Sequence, residues 1–212
     1  MLLSRIKRII FESYEKHHVT APSVRFQPPT EGHGEVIDTV KSEAKKVGGS
    51  HSIVLSHSHD AKNPLTPEQK LKHAKRAWPD MNISTSSVEQ PTLLHHLANL
   101  HKQGVTHVTV VGGQDRVEGF RNLIHKYNGQ TGAHGYYNFK GINVVSAGER
   151  DPDAEDVTGI SGTKMRAAAE RGDKETFHAG APSNMTPDQK DEMMRDVQNG
   201  MKKFEKKKIS KK

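Results

Sequence analysis

Hydrophobic positions along the chain switch repeatedly between a helical and a strand period. Leu2, Leu3, Ile6, Ile9 and Ile10 alternate with Arg and Lys up to Phe11, the pattern of an amphipathic helical arm. Val19 to Phe26 reads as a first strand, with Pro22 an awkward residue inside it. Pro28-Pro29 impose an extended turn, because each proline fixes its own φ and restricts the residue before it. From His33, the residues Val36, Ile37, Val40 and Ala44 recur at helical spacing until Gly48-Gly49. Ser52 to Ser56 is a second strand. Thr66 to Ala77 is a helix with a Thr cap and Pro at its first position. Met81 to Ser84 reads as a third strand, and Pro91 to Lys102 as a helix burying Leu93, Leu94, Leu97 and Leu100. Val105 to Val111 is the clearest strand and ends in Gly112-Gly113; the helix Asp115 to Tyr127 and the strand Ile142 to Ala147 follow.

Strand and helix alternating over short connections predict a parallel sheet covered on both faces, a three-layer α/β architecture. Ligands of such sheets sit at the carboxyl ends of the strands. Three segments are expected: an amphipathic arm over 1–18, the α/β domain over 19–180, and a helical, basic C-terminal extension over 181–212. No internal repeat is evident.

The formal charge of +7 changes little, because it is concentrated at the ends. Met201 to Lys212 holds seven lysines against one glutamate, and Met1 to His18 four cations against two glutamates, leaving the body at −1. A near-neutral body with a basic tail does not describe a nucleic-acid groove. The tail reads as a solvated, partly helical end or as an electrostatic contact for an acidic partner. No apolar run approaches the roughly 20 residues of a membrane span, and the N-terminus has no small-residue cleavage site. Zero cysteines exclude disulfides and thiolate zinc sites, which suits a reducing cytoplasm.

Two separated stretches carry candidate phosphate chemistry: Pro28-Pro29-Thr30-Glu31-Gly32-His33 and Ile160-Ser161-Gly162-Thr163-Lys164-Met165-Arg166. Each combines hydroxyls, a Gly, an imidazole or cation, and a helix start, whose N–H groups and dipole favour anions. In the first, Gly32 admits a bulky anion, while Thr30 and His33 offer a hydroxyl and a ring N–H; a Thr-capped helix entrance is the plainer reading. In the second, Ser161 or Thr163 caps a helix running to Glu170. Lys164 and Arg166 place cations against the dipole, a cost of a few tenths of a kcal/mol that an anionic ligand would reverse.

Thr30-x-Gly32-His33 with Ile160-Ser161-x-Thr163-x-x-Arg166 resembles the nucleotidylyltransferase superfamily, which includes nicotinamide-nucleotide and phosphopantetheine adenylyltransferases and the cytidylyltransferases. Arg25-Phe26-Gln27-Pro28 is similar to the nicotinamide-nucleotide branch. With Asn63-Pro64-Leu65, Val111 to Arg116 and Val144 to Pro152, the span over 19–180 looks most like nucleotidyltransferases of large tailed phages. The resemblance implies a Rossmann-like sheet and transfer of a nucleoside monophosphate from an NTP to a phosphorylated acceptor, with release of pyrophosphate. It implies Thr30, His33 and Arg166 as catalytic, with Arg25, Phe26, Gly32, Gly112, Gly113, Asp115, Ser161, Thr163 and Lys164 binding nucleotide. Within that set, Ser161, Thr163 and Arg166 would hold the β- and γ-phosphates, and Gly112, Gly113 and Asp115 the base and ribose. Mg2+ would arrive with the NTP, held mostly by phosphates and water, with no residue of the chain assigned as its ligand.

Val24 stands where the family has Gly, so its side chain is expected to crowd the nucleotide, and Ala21-Pro22-Ser23 replaces an apolar strand. Gly162 stands in place of a common second Ser. His57 and His59 would share one face of a strand as metal ligands can, although scattered histidines make chance pairs common; lining of a loop or the acceptor site is the plainer reading. The alternative function is a catalytically degenerate relative serving as a virion or assembly component in the host cytoplasm, with arm and tail as protein contacts.

Overall fold

The computed structural model describes residues 15–148 and 161–209. The arm at Met1 to Phe11 and the acidic stretch Glu149 to Asp156 lie outside the described residues. In chain order the strands are β1 (His17–Val24), β2 (Ser50–Leu55), β3 (Ile83–Thr85), β4 (His107–Gly112), β5 (Thr131–Gly132), β6 (Gly135–Tyr136) and β7 (Gly141–Ser146). The helices are α1 (Gly34–Val47), α2 (Pro67–Ala77), α3 (Leu93–Lys102), α4 (Gln114–Tyr127), α5 (Gly162–Arg171), α6 (Lys174–Gly180) and α7 (Pro187–Ile209).

Five strands form one parallel sheet in the order β3-β2-β1-β4-β7, and β5-β6 is a separate two-residue hairpin. The expected α/β, three-layer, Rossmann-like sheet is what the chain builds. Strand alternation divides the core: Val19, Ala21, Ile53, Leu55 and Val111 pack with α1, α2, α5, α6 and α7 on one face. On the other, Val108, Val110 and Val144 pack with α3 and α4. The chain winds outward from β1 to β3, returns to β4, and winds outward again. The reversal of direction therefore falls between β1 and β4, where open sheets of this kind hold ligands.

Local chemistry sets the helix ends. The Thr66 hydroxyl accepts from Gln69 N, and the Gln69 side chain accepts in turn from Thr66 N, a reciprocal cap before Pro67. Gly48 closes α1 at φ 59°, a conformation that disfavours side chains.

Three differences from the sequence pattern stand out. β1 begins at His17, inside the segment read as arm, because His18 and Thr20 are buried by polar partners rather than apolar ones. β2 ends at Leu55, so His57 and His59 are not strand neighbours: His57 meets Ser86, and His59 meets the Asn63 carbonyl and the Phe204 ring. Fully buried Lys70 draws the loop inward by donating to the Ser56 and Ser58 carbonyls, and burial lowers its pKa to about 8. Finally, the extension expected over 181–212 docks on the domain ahead of its basic end: Met193 and Val197 of α7 are fully buried in the main core, while Lys202 and Lys203 are exposed.

Candidate active site

β1 pairs with β4 only as far as Thr20, then stays with β2, where Val24 is opposite Leu55. The register slips between Ala21 and Val24, and Ser23 adopts φ 58°. Beyond Thr20 the two strands part, and a cavity of about 660 Å³ opens at their carboxyl ends. Of the residues expected to bind nucleotide, it brings together Arg25, Gly32, His33, Gly112, Gly113 and Asp115. Val24 lines it too, yet the volume with that side chain in place is within the 300–1,000 Å³ typical of small-molecule sites.

The first motif is held rigidly. Phe26 has φ 40°, a conformation that costs a non-glycine residue on the order of 1–3 kcal/mol. Its buried ring lies 4.4 Å from His33 and 5.2 Å from Trp78. Gln27 closes against Leu65 through two hydrogen bonds, its amide donating at 2.9 Å and its carbonyl accepting at 3.0 Å. Glu31 accepts from the Ser183 N–H and hydroxyl at 2.5 and 3.1 Å, fastening the turn to the segment before α7.

Thr30 donates its N–H to His33 Nδ1 at 2.9 Å, and its hydroxyl lies 3.0 Å from the same atom. That acceptor role places the proton of a neutral His33 on Nε2, making Nε2 a donor. Thr30 and Phe26 do not line the cavity; they orient the ring that does.

The second motif reaches the first through one side chain. Arg166 donates from Nη1 to the Gln27 carbonyl at 2.6 Å and from Nη2 to the Thr163 hydroxyl at 3.0 Å. The cation expected to oppose the helix dipole thus has protein acceptors of its own. Ser161 caps α5, its hydroxyl accepting from Lys164 N at 3.3 Å; Lys164 is exposed. A Cβ at Gly162 would sit 2.9 Å from the Gln27 carbonyl oxygen. Glycine here, rather than a second serine, lets α5 close on the first motif. Ser161, Thr163, Lys164 and Arg166 lie outside the cavity's lining.

Arg116 and Glu35 line the cavity and were not singled out from sequence, although Arg116 stands in the quoted stretch after Gly112-Gly113. The Arg116 guanidinium lies 4.5 Å over the Phe120 ring, which packs against Gly112. Burial lowers the pKa of Arg116, opposed by attraction to Asp115 and aided in smaller measure by repulsion from Arg25. Burial and then Arg25 likewise lower that of Arg166. Arg25 therefore stands near both other guanidiniums, and among the described residues none of the three makes an ion pair. Such a concentration of positive charge favours a polyanion.

A second, smaller cavity of about 180 Å³ lies past the ends of β2 and β3 and shares Pro22 and Ser23 with the first. Its walls include the hydroxyls of Ser84, Thr85, Ser86 and Ser87 and the side chains of His96 and Asn99. His96 accepts or donates at 3.0 Å to buried Thr20, and burial lowers its pKa to about 4, so it is neutral near pH 7.

A family model described as cytidylyltransferase-like matches residues 25–168, about two thirds of the chain and both motifs. No curated protein matches the sequence. Among solved structures, the chain is similar to that of Thermotoga maritima TmcAL bound with alpha-thio ATP, at 12% identity and a TM-score of 0.50. The alignment covers 88% of this chain and 57% of that one, so this chain spans little more than half of its length. At that identity the likeness is one of fold.

Proposed function

The chain belongs to the cytidylyltransferase-like family, and from that premise we infer that it transfers a nucleoside monophosphate from an NTP to a phosphorylated acceptor. The observation that carries this reading is the cavity at the β1/β4 reversal, framed by the donor His33 and by the guanidiniums of Arg25 and Arg116, which make no ion pair among the described residues. An oxygen of the acceptor phosphate attacks the α-phosphorus, the bond to the β-phosphate breaks, and pyrophosphate leaves. No protein nucleophile is needed. The chain acts by holding the reactants in line and by meeting the charge that grows on the phosphate oxygens.

In this reading His33 Nε2–H and Arg25 serve the α- and β-phosphates, and Arg116 the outer ones. Gly112 and Gly113 let the backbone of β4 and α4 approach the nucleotide, with Asp115 toward the ribose. Arg166, Thr163 and Ser161 act by fixing Gln27 and the first motif. The NTP would enter as its Mg2+ complex, the metal supplying charge neutralisation for the phosphates. The oxygen-only donors Glu35 and Asp115 suit its hydration shell. The hydroxyl-lined second cavity takes the body of the acceptor, whose phosphate reaches the α-phosphorus past Pro22 and Ser23, which line both cavities. The hydroxyl lining favours a hydroxylated acceptor over an apolar one.

A thermal-shift panel with ATP, CTP, GTP and UTP in Mg2+ tests the reading. A cognate nucleotide at 100 times its dissociation constant stabilises by about 2.7 kcal/mol, and pyrophosphate release with phosphorylated acceptors then identifies the second substrate. No shift with any NTP at millimolar concentration refutes it.

A further inference from the structure

At the edge of the sheet opposite both cavities, β1 and β4 each begin with a histidine. His17 and His107 are register partners on adjacent parallel strands, so they share a face, and their rings stack at 4.5 Å. Glu15, just before β1, spans the two rings. Its Oε2 lies 3.5 Å from His17 Nε2 and its Oε1 4.0 Å from His107 Nε2. One ligand atom from each residue lies within 4.8 Å of the other two. These separations are long for hydrogen bonds. They approach the spacing a shared metal imposes, since donors at about 2.0–2.2 Å around a tetrahedral centre are about 3.3 Å apart.

The surrounding chain holds these rings in place. His107 lies over Gly141, its partner on β7, where a Cβ would be 3.2 Å from His107 Nε2. Gly49 meets His17 as closely: a Cβ there would be 2.7 Å from the His17 oxygen and 2.9 Å from its Cβ. His107 Nδ1 is 2.9 Å from the Thr106 hydroxyl, which accepts from Lys16 N at 2.9 Å and directs its own proton to the Lys16 carbonyl at 3.4 Å. With the hydroxyl proton on the Lys16 side, Nδ1–H donates to the hydroxyl and the lone pair of His107 is on Nε2, toward the carboxylate. A ring nitrogen fixed in this way is the usual support of a ligating histidine. The Lys16 ammonium is engaged with the Gln103 carbonyl at 2.8 Å.

We propose that Glu15, His17 and His107 bind a divalent transition metal of the zinc class, with water completing the coordination. Two imidazoles and a carboxylate without thiolate suit Zn2+ and its borderline neighbours better than Mg2+ or Ca2+. The site joins the start of β1 to β4, far from the phosphate chemistry, so the metal acts as a structural staple.

Zn2+ is titrated calorimetrically into the full chain, free of any histidine tag, and thermal unfolding is followed with and without the metal. One equivalent should bind, and the unfolding midpoint should rise. Glu15→Gln and His107→Ala should each weaken binding at least tenfold and abolish the rise, while Thr106→Val weakens it about tenfold. Co2+ in place of Zn2+ should show the visible absorption of a low-coordinate nitrogen and oxygen site, absent in His107→Ala. Glu15 is exposed, so Glu15→Gln carries the test should His107→Ala not fold. Absence of binding by the wild type, or equal stoichiometry and affinity in both ligand variants, overturns the proposal; the latter would put the metal on others of the fourteen histidines.

Discussion

Two isosteric substitutions at His33 separate its structural role from its proposed role in binding. The ring is 5% exposed, lies 4.4 Å from Phe26, and accepts the Thr30 N–H at 2.9 Å. His33→Ala would leave that N–H buried without a partner, about 1–3 kcal/mol, and lose an aromatic contact of about 1 kcal/mol. A weaker nucleotide complex in that variant would say little. His33→Asn instead places an amide oxygen near the position of Nδ1, keeping the bond to Thr30 while removing the Nε2–H. His33→Gln does the reverse, reaching the Nε2 position with an amide N–H and giving up the inner acceptor.

A hydrogen bond to a charged phosphate oxygen is worth about 1.5–3 kcal/mol, or about 10- to 150-fold in affinity. The Asn variant should therefore lose about 1 kcal/mol of unfolding free energy in urea and bind the cognate Mg-NTP about 10- to 150-fold more weakly by calorimetry. The Gln variant should lose about 2–4 kcal/mol of stability and remain within about tenfold of wild-type affinity. Wild-type affinity in the Asn variant, or affinity losses that only track stability in the pair, would refute the assignment of Nε2–H to phosphate.

Three further outcomes are expected. Val24→Gly should tighten NTP binding in calorimetry, because Val24 lines the cavity, while losing about 1 kcal/mol or more in thermal unfolding; unchanged affinity would show that the nucleotide passes clear of residue 24. Gly200→Ala should destabilise by about 1–3 kcal/mol in urea, since a Cβ there would overlap the Pro64 carbonyl oxygen and lie 2.7 Å from its carbon. His96, lowered from 6.5 to about 4 by burial, binds its proton more readily in the unfolded chain, so its contribution is full above pH 6.5 and falls toward pH 4 by up to about 1.4 kcal/mol per pH unit; His96→Asn should flatten that part of the stability profile.

Periodicity carried most of the sheet and its covering helices, because β4 and α1 to α4 bury apolar residues at regular intervals. It failed where burial is polar. His17 and His18 open β1 unseen because Ser50 and Ser52 satisfy His18 at 2.7 and 2.8 Å. The extension over 181–212 reads as separate from the α/β domain because the face of α7 that docks on it carries charge: Glu192 pairs with Lys72 and Arg76, which lower its pKa to about 2, and Asp196 meets buried His73 at 2.8 Å. At the candidate site, the motifs identified the stretches, but the division between residues that line the cavity and residues that hold those in place depends on tertiary contacts. Arg166 looks like a ligand-facing cation in sequence and is a clasp on Gln27 in space.

The atypical first strand has the opposite meaning from the one its sequence suggests. Ala21-Pro22-Ser23 interrupts the apolar run expected of a central strand, and a regular strand there would have continued its ladder with β4 beyond Thr20. Pro22 has no N–H to lose when that ladder stops, and Ser23 at φ 58° turns the chain toward β2, where Ser56 N donates to the Val24 carbonyl at 2.8 Å. The separation of β1 from β4 is the opening of the larger cavity, and Pro22 and Ser23 form the wall it shares with the smaller one. Phe26, held at φ 40° by its buried ring, and Gln27, held by Leu65 and Arg166, keep the displaced chain in place. Backbone strain of this kind persists only where its surroundings over-determine it, and here the surroundings are the two motifs themselves. The residues that weaken β1 as a strand are those that make room for two cavities at its end.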